Sequence, residues 1–308
     1  MHEFAFGVTG VNSHCGTTAN PHDSLRIAGG SSTGSAVAVA EGSARFAFGT
    51  DTGGSVRIPA ALCGVVGFKP TFATYPTQGV FPLSPSLDHI GLFANSVADV
   101  SAIHQALGFG RVQAKAPEAI GISRGDLDHC DVKVREGIGA AVERLGAAGV
   151  RMLDPEKPDP ETVFAASTAV MFAEAAAVHR AEMQRQADRY GEDVRARLVL
   201  GMAIPAWLYL RGKRAQSSVK AEMRAALDGV TGLIGPTVEI LAPTFDEAGS
   251  PDVSARLVSH TRLANLIGAA ALTLPLPVDG LPVGLQIMGI DNHQVLAAGL
   301  WLENAVLR

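Results

Sequence analysis

Two serines, Ser31 and Ser55, each end a glycine turn, Gly29-Gly30-Ser31 and Gly53-Gly54-Ser55. Glycine clusters permit positive φ and close backbone approach, and they line up N–H groups that can receive an anion. Glycines just before a serine leave its hydroxyl and amide open, which makes it a candidate nucleophile. The stretch over residues 29–70, GGSSTGSAVAVAEGSARFAFGTDTGGSVRIPAALCGVVGFKP, alternates small with apolar residues and so is not a linker. Asp51 and Arg57 flank the second turn, a carboxylate and a guanidinium that could orient its groups or fix it as an ion pair. Asp88 and His89 would complete a Ser55–His89–Asp88 triad on paper. Adjacent residues in a strand point to opposite faces, however, so a structural hydrogen-bonding role is the better reading of both.

The same stretch resembles the signature of the amidase signature family of serine hydrolases: GGSS-x-GS, then GTDTGGS-[IV]-R-x-P, then CG-x-x-GFKPT. The agreement is nearly gapless over some 40 residues and continues more weakly from Glu3 to the late GLPVGLQIMG. The resemblance implies hydrolysis of a carboxamide C–N bond, with Ser55 as nucleophile and Ser31, behind a cis Gly30–Ser31 peptide, as relay. It places Ser32, Asp51 and Arg57 around these two, and Phe4, Ala5 and Phe6 of the EFA-x-G segment in the acyl pocket wall. Asn12, Gly16-Thr17 and Asn20-Pro21 fall in register with the loop beside that pocket. Backbone N–H groups of Thr52, Gly53, Gly54 and Ser55 would form the oxyanion hole. A small-molecule amide is the implied partner, with no cofactor and no metal.

The family's third catalytic residue is a lysine several tens of residues before the relay serine. Thirty residues precede Ser31 here and none is lysine; Lys69, Lys115, Lys133, Lys157, Lys213 and Lys220 all follow Ser55. Lys69, in GFKPT, belongs to a different family position. The expectation is an N-terminally truncated amidase-like chain with impaired or no turnover. The alternatives are a non-catalytic binding or assembly protein that keeps the pocket, and the amidotransferase type of the same family, which makes glutaminyl-tRNA with partner proteins. Loss of an N-terminal region would expose apolar surface, which a homodimer would cover.

At 308 residues, with 47% hydrophobic and 18% charged residues, the chain can bury a large core and lies far from disordered compositions. A net charge of −5 gives no electrostatic reason to expect nucleic acid or an anionic membrane. No uninterrupted apolar run reaches the roughly 20 residues needed to span a bilayer. MHEFAFGVTG lacks the basic start and apolar core of a signal peptide, so the expected location is cytoplasmic. Cys15, Cys63 and Cys130 have neither metal-like nor redox spacing, and Cys63 in ALCGVVGF reads as a small buried hydrophobe.

Helices are expected from Ala36, from Ser96 with a capping-box start at Ser96 and Asp99, over 131–146, from Asp159-Pro160 to about Arg189, over 193–210 with a break near Gly201 and Pro205, over 215–227, over 254–268 and over 292–306. Strands are expected at Phe46–Phe48, Ala119–Ile122 and 233–239, with a closing hairpin of 272–276 and 283–288 around Asp279-Gly280. Prolines 76, 82 and 85 make residues 72–90 a looping path. Gln286, among apolar neighbours in a strand, needs a polar partner. Strands separated by helices argue for a single α/β domain over 1–308, with the signature core at 28–71 and a mixed sheet covered by helices on both faces. That is also the amidase signature fold, here without its N-terminal part.

Overall fold

The computed structural model describes residues 1–306. A two-stranded ribbon, β1 (Ala19–Asn20) and β2 (Asp23–Ile27), leads into α1 (Thr33–Ala40), β3 (Phe46–Asp51), α2 (Arg57–Cys63), β4 (Val66–Lys69), β5 (His89–Ala94) and α3 (Val97–His104). There follow β6 (Ala119–Ile122), α4 (Val132–Ala147), β7 (Arg151–Leu153), α5 (Pro160–Gln186), α6 (Glu192–Met202) and α7 (Ala206–Ala226). The chain ends with β8 (Leu233–Pro236), α8 (Pro251–Val258), α9 (Arg262–Leu266), β9 (Ala270–Leu276), β10 (Val283–Gly289) and α10 (Asn292–Val306).

Eight strands form one mixed sheet in the order β3-β5-β4-β9-β10-β8-β6-β7. Its pairs are antiparallel except at β8-β6-β7, where the strands run parallel. Successive side chains of a strand point to opposite faces, and the core divides accordingly. Leu272, Leu274, Leu285 and Ile287 join α3, α4 and α10 in one apolar cluster. Ala271 and Met288, one residue out of phase, join α5, α6, α7 and α9 in another. At the β3 end, Phe93 of β5 meets α1 and α2 on that second face. The sheet is therefore covered on both sides, and α1 and α2 hang between its strands so that each begins at a glycine–serine turn.

Local sequence sets several boundaries. Ser96 caps α3 by accepting from Asp99 N at 3.0 Å, and Asp159 caps α5 by accepting from Thr162 N at 2.9 Å; Pro160 at the first helical position loses no hydrogen bond. By length and composition alone, the helical stretch Pro160–Arg189 could cross a bilayer, but half of its most apolar window is buried inside the protein. Its Glu174 accepts from Ser84, Ser86 and Tyr209.

Besides α2, β4, β7 and the β1–β2 ribbon, which the sequence expectation did not name, three elements differ from it. Residues 206–226 form one helix with no break before residue 215. His89–Ala94 is a strand between β3 and β4, enclosed on both sides where the prolines before it signalled only a loop. The helix expected over 254–268 is two short ones, interrupted at Ser259–Thr261. The break occurs because main-chain carbonyls there serve other partners: His260 O accepts from Gln286 Nε2 at 3.0 Å and Thr261 O from Arg57 Nη1 at 2.9 Å.

Sheet and helix approach closely at Leu272 on central β9, where a methyl added to Gly299 of α10 would collide with Leu272 Cδ2. Leu272→Ala should destabilise by about 2–5 kcal/mol through the cavity it leaves, and Gly299→Ala by about 1–3 kcal/mol through overpacking. In the double variant the added methyl occupies the vacated space, so the combined loss by urea unfolding should be smaller than the sum. Strict additivity would contradict the contact.

Candidate active site

The site is built at the paired turns. Ser32 N donates to Ser55 O at 3.2 Å, so the main chains of the two serine segments are bonded to each other. The Gly30–Ser31 peptide is cis, and Ser31 O accepts from His2 N at 3.0 Å. Ser32 turns its hydroxyl to β3, bonding the main-chain N and O of Thr50, each at 3.2 Å. Gly30 lets the segment at Gly10 pack closely on this turn, since a Cβ there would lie 2.7 Å from Gly10 N. Gly54 is required by conformation: its φ is +129°, and a methyl would strike Thr261 Oγ1, which donates to Gly53 O at 2.6 Å.

Beneath the Ser55 turn lies a fully buried ion pair. Asp51 Oδ1 accepts from Arg57 Nη2 at 2.9 Å, from Gly54 N at 2.9 Å and from Asn265 Nδ2 at 2.8 Å. Its Oδ2 accepts from Arg57 Nε and Val56 N, both at 3.1 Å. The rest of Arg57 is spent on Gln286 Oε1 at 2.7 Å, Thr261 O at 2.9 Å and Asn265 Oδ1 at 2.6 Å. Gln286 thereby has the partner its sequence context demanded. Asn265 and Thr261 were not among the residues singled out by sequence; the only signal at Asn265 is one amide inside the apolar run LANLIG.

Ser31 is fully buried and its Oγ has no hydrogen-bond partner among the described residues. Ser55 is 5% exposed and lines a cavity of about 840 Å³ together with Thr52, Gly53, Met171 and Arg262. Ala5 and Phe6 form part of the wall. Phe4, expected beside them, turns away at a left-handed bend (φ +47°, with Ala5 at +59°) and packs instead on His179, Phe81 and Tyr190. The four backbone donors of the turn are also not equivalent. The Gly54 N–H is committed to Asp51, so it is not free to receive an oxyanion; those of Thr52, Gly53 and Ser55 have no acceptor among the described residues.

His89 does not reach Ser55. Its Nδ1 meets Leu87 O at 2.6 Å, and burial, reinforced by the Lys69 charge, pushes its pKa down to about 3. Asp88 accepts from Thr52 Oγ1 at 2.6 Å and from Leu83 and Ser84 N–H groups, so it too is structural. Lys69 Nζ donates to Pro70 O and Ala269 O under β4, and burial, with the neighbouring Arg57 charge, holds its pKa well below the usual lysine range. Among the described residues no cluster of His, Cys, Asp and Glu could hold a metal ion.

The fold is that of a solved amidase: a crystal structure of an amidase superposes with a TM-score of 0.92 at 34% identity, over 99% of this chain and 73% of that one. The chain belongs to the amidase family, whose model, Amidase, matches residues 1–295. It is 34% identical to the 2-amino-5-chloromuconic acid deaminase of Comamonas testosteroni, over 97% of this chain and 69% of that enzyme. It is 31% identical to a glutamyl-tRNA(Gln) amidotransferase subunit of Methanosarcina mazei, over 98% of this chain and 73% of that protein.

The Asp51–Arg57 pair makes a pH prediction. Burial alone would raise the Asp51 pKa; the Arg57 charge and hydrogen bonds override it and hold the carboxyl well below its ordinary range. A group lowered on folding contributes stability that is complete above its unfolded pKa of about 4 and is lost as pH falls toward the folded value. Asp51→Asn, which leaves the Arg57 charge buried and unpaired, should cost about 3–5 kcal/mol at pH 7 and flatten the loss of stability below about pH 4. Denaturant unfolding across that range checks both; unchanged stability at neutral pH would contradict the pairing.

Proposed function

We propose that this chain carries the acyl-transfer centre of an amidase, with Ser55 as nucleophile and Ser31 as the neighbouring relay hydroxyl. The observation that carries the reading is the main-chain bond between the two serine turns, with Ser55 open to the cavity. Ser55 Oγ would attack the amide carbonyl, while the free N–H groups of Thr52, Gly53 and Ser55 receive the developing oxyanion; one such donor is worth about 10²–10³ in rate. Collapse of the tetrahedral intermediate breaks the C–N bond, releases the amine with a proton, and leaves an acyl ester on Ser55 that water hydrolyses. Asp51 and Arg57 act by holding the turn.

The proton path is the weak link. A relay hydroxyl must hand its proton to a base, and Ser31 Oγ has no partner among the described residues. Lys69 is committed to two carbonyls. We therefore propose that the 308-residue chain turns over slowly, because its oxyanion donors are in place while general-base assistance, normally worth about 10²–10⁴, is not. The same orphaned hydroxyl favours a second reading, an amidase-like protein that binds an amide without hydrolysing it. The resemblance to the amidotransferase of Methanosarcina mazei supports a third, in which the centre serves amide hydrolysis within a larger assembly.

A fluorophosphonate probe separates them. Slow labelling is expected, abolished by Ser55→Ala and nearly unaffected by Ser31→Ala, because a relay without a base contributes little. Labelling that drops about 10²-fold or more in Ser31→Ala would mean that this chain has a working base. Labelling that persists in Ser55→Ala would displace Ser55 as nucleophile.

A further inference from the structure

The two arginines nearest the site are used very differently. Arg57 has all its donors engaged and a carboxylate beside it. Arg262, at the start of α9, forms no ion pair with any carboxylate among the described residues. Its Nη1 donates to Thr168 Oγ1 at 2.5 Å, with Ser167 Oγ at 3.5 Å, and its guanidinium carbon stacks 4.3 Å from the centre of the Phe164 ring. Among the described residues its Nε, sealed from solvent, has no partner and its Nη2 makes no hydrogen bond. Burial lowers its pKa to about 10, which leaves it fully charged at neutral pH. Arg262 is half-buried, and a cation so placed with no anion gives up part of its hydration unless a ligand supplies the charge.

Its position says which ligand. Arg262 lines the cavity that holds Ser55, and with Phe164 and Val258 it also lines an adjoining cavity of about 420 Å³. A methyl placed on Gly53 would lie 3.9 Å from Arg262 Cγ, so the guanidinium stands one side chain away from the Ser55 turn. The other charges around this space are largely matched: Arg197 and His2 share Asp193, and Lys157 meets Asp126. Glu192, at the first turn of α6, also lines the larger cavity.

Resting on the amidase reading above, we propose that Arg262 is a specificity residue that anchors a carboxylate of the substrate, so that the site takes an amide whose scissile carbonyl lies a short spacer from a carboxylate. Thr168 and Phe164 hold the guanidinium plane, and the carboxylate takes the donors left free, as planar arginine forks do.

The test uses glutaramate and its uncharged counterpart valeramide, titrated calorimetrically into the full 308-residue chain. Glutaramate should bind at least about tenfold more tightly, the factor a hydrogen bond to a charged group supplies, and Arg262→Gln should remove that preference. Equal binding of the two amides, no binding of either, or a preference that survives Arg262→Gln would overturn the proposal. In the unaltered chain, phenylglyoxal modification of Arg262, mapped by mass spectrometry, should be blocked by glutaramate and not by valeramide; absent or equal protection is equally contrary. Turnover is read separately: a carboxylate preference without hydrolysis would count against the amidase reading and leave the anchor standing.

Discussion

The Asp51–Arg57 pair is the constraint on which the site depends. Removing two charges from water is costly, and a buried pair is tolerated only when nearly every donor and acceptor is satisfied. Here that demand recruits residues from β3, α2, α9 and β10, which meet at one point through Asn265, Thr261 and Gln286. The carboxylate also takes the N–H groups of Gly54 and Val56. In doing so it fixes the turn that presents Ser55, and it occupies the Gly54 N–H.

The same network explains the broken helix. Residues 254–268 contain no glycine or proline before Gly268 to stop a helix, and the carbonyls of His260 and Thr261 leave the helical ladder because Gln286 and Arg57 need acceptors. The interruption starts a new helix at Arg262 and aims its guanidinium over Phe164 into the cavity. One electrostatic requirement thus sets both the Ser55 turn and the cation facing it.

Much of this was legible in the sequence. The glycine–serine turns, the Asp51–Arg57 pairing, the capped helices at Ser96 and Asp159 and the late hairpin follow from residue type and spacing, because each depends on neighbours within a few positions. The resemblance carried the fold as a whole. Three features were hidden because they depend on distant partners: Gly91 lets β5 sit against Phe68 and Val56, the His260 and Thr261 carbonyls are claimed from over 20 residues away, and Phe4 leaves the pocket wall at a left-handed bend that no glycine announces. The Gly54 amide looked like an oxyanion donor for the same reason, since its acceptor is visible only once Asp51 is placed beneath it.

Amide hydrogen exchange tests most directly whether the buried pair holds the Ser55 turn. In the unaltered chain the Gly54 and Val56 amides should exchange slowly, as groups bonded to a buried carboxylate. In Arg57→Met they should exchange much faster, while the β9–β10 amides, bonded only within the sheet, keep their protection. Equal protection of Gly54 and Val56 in both proteins would contradict the account.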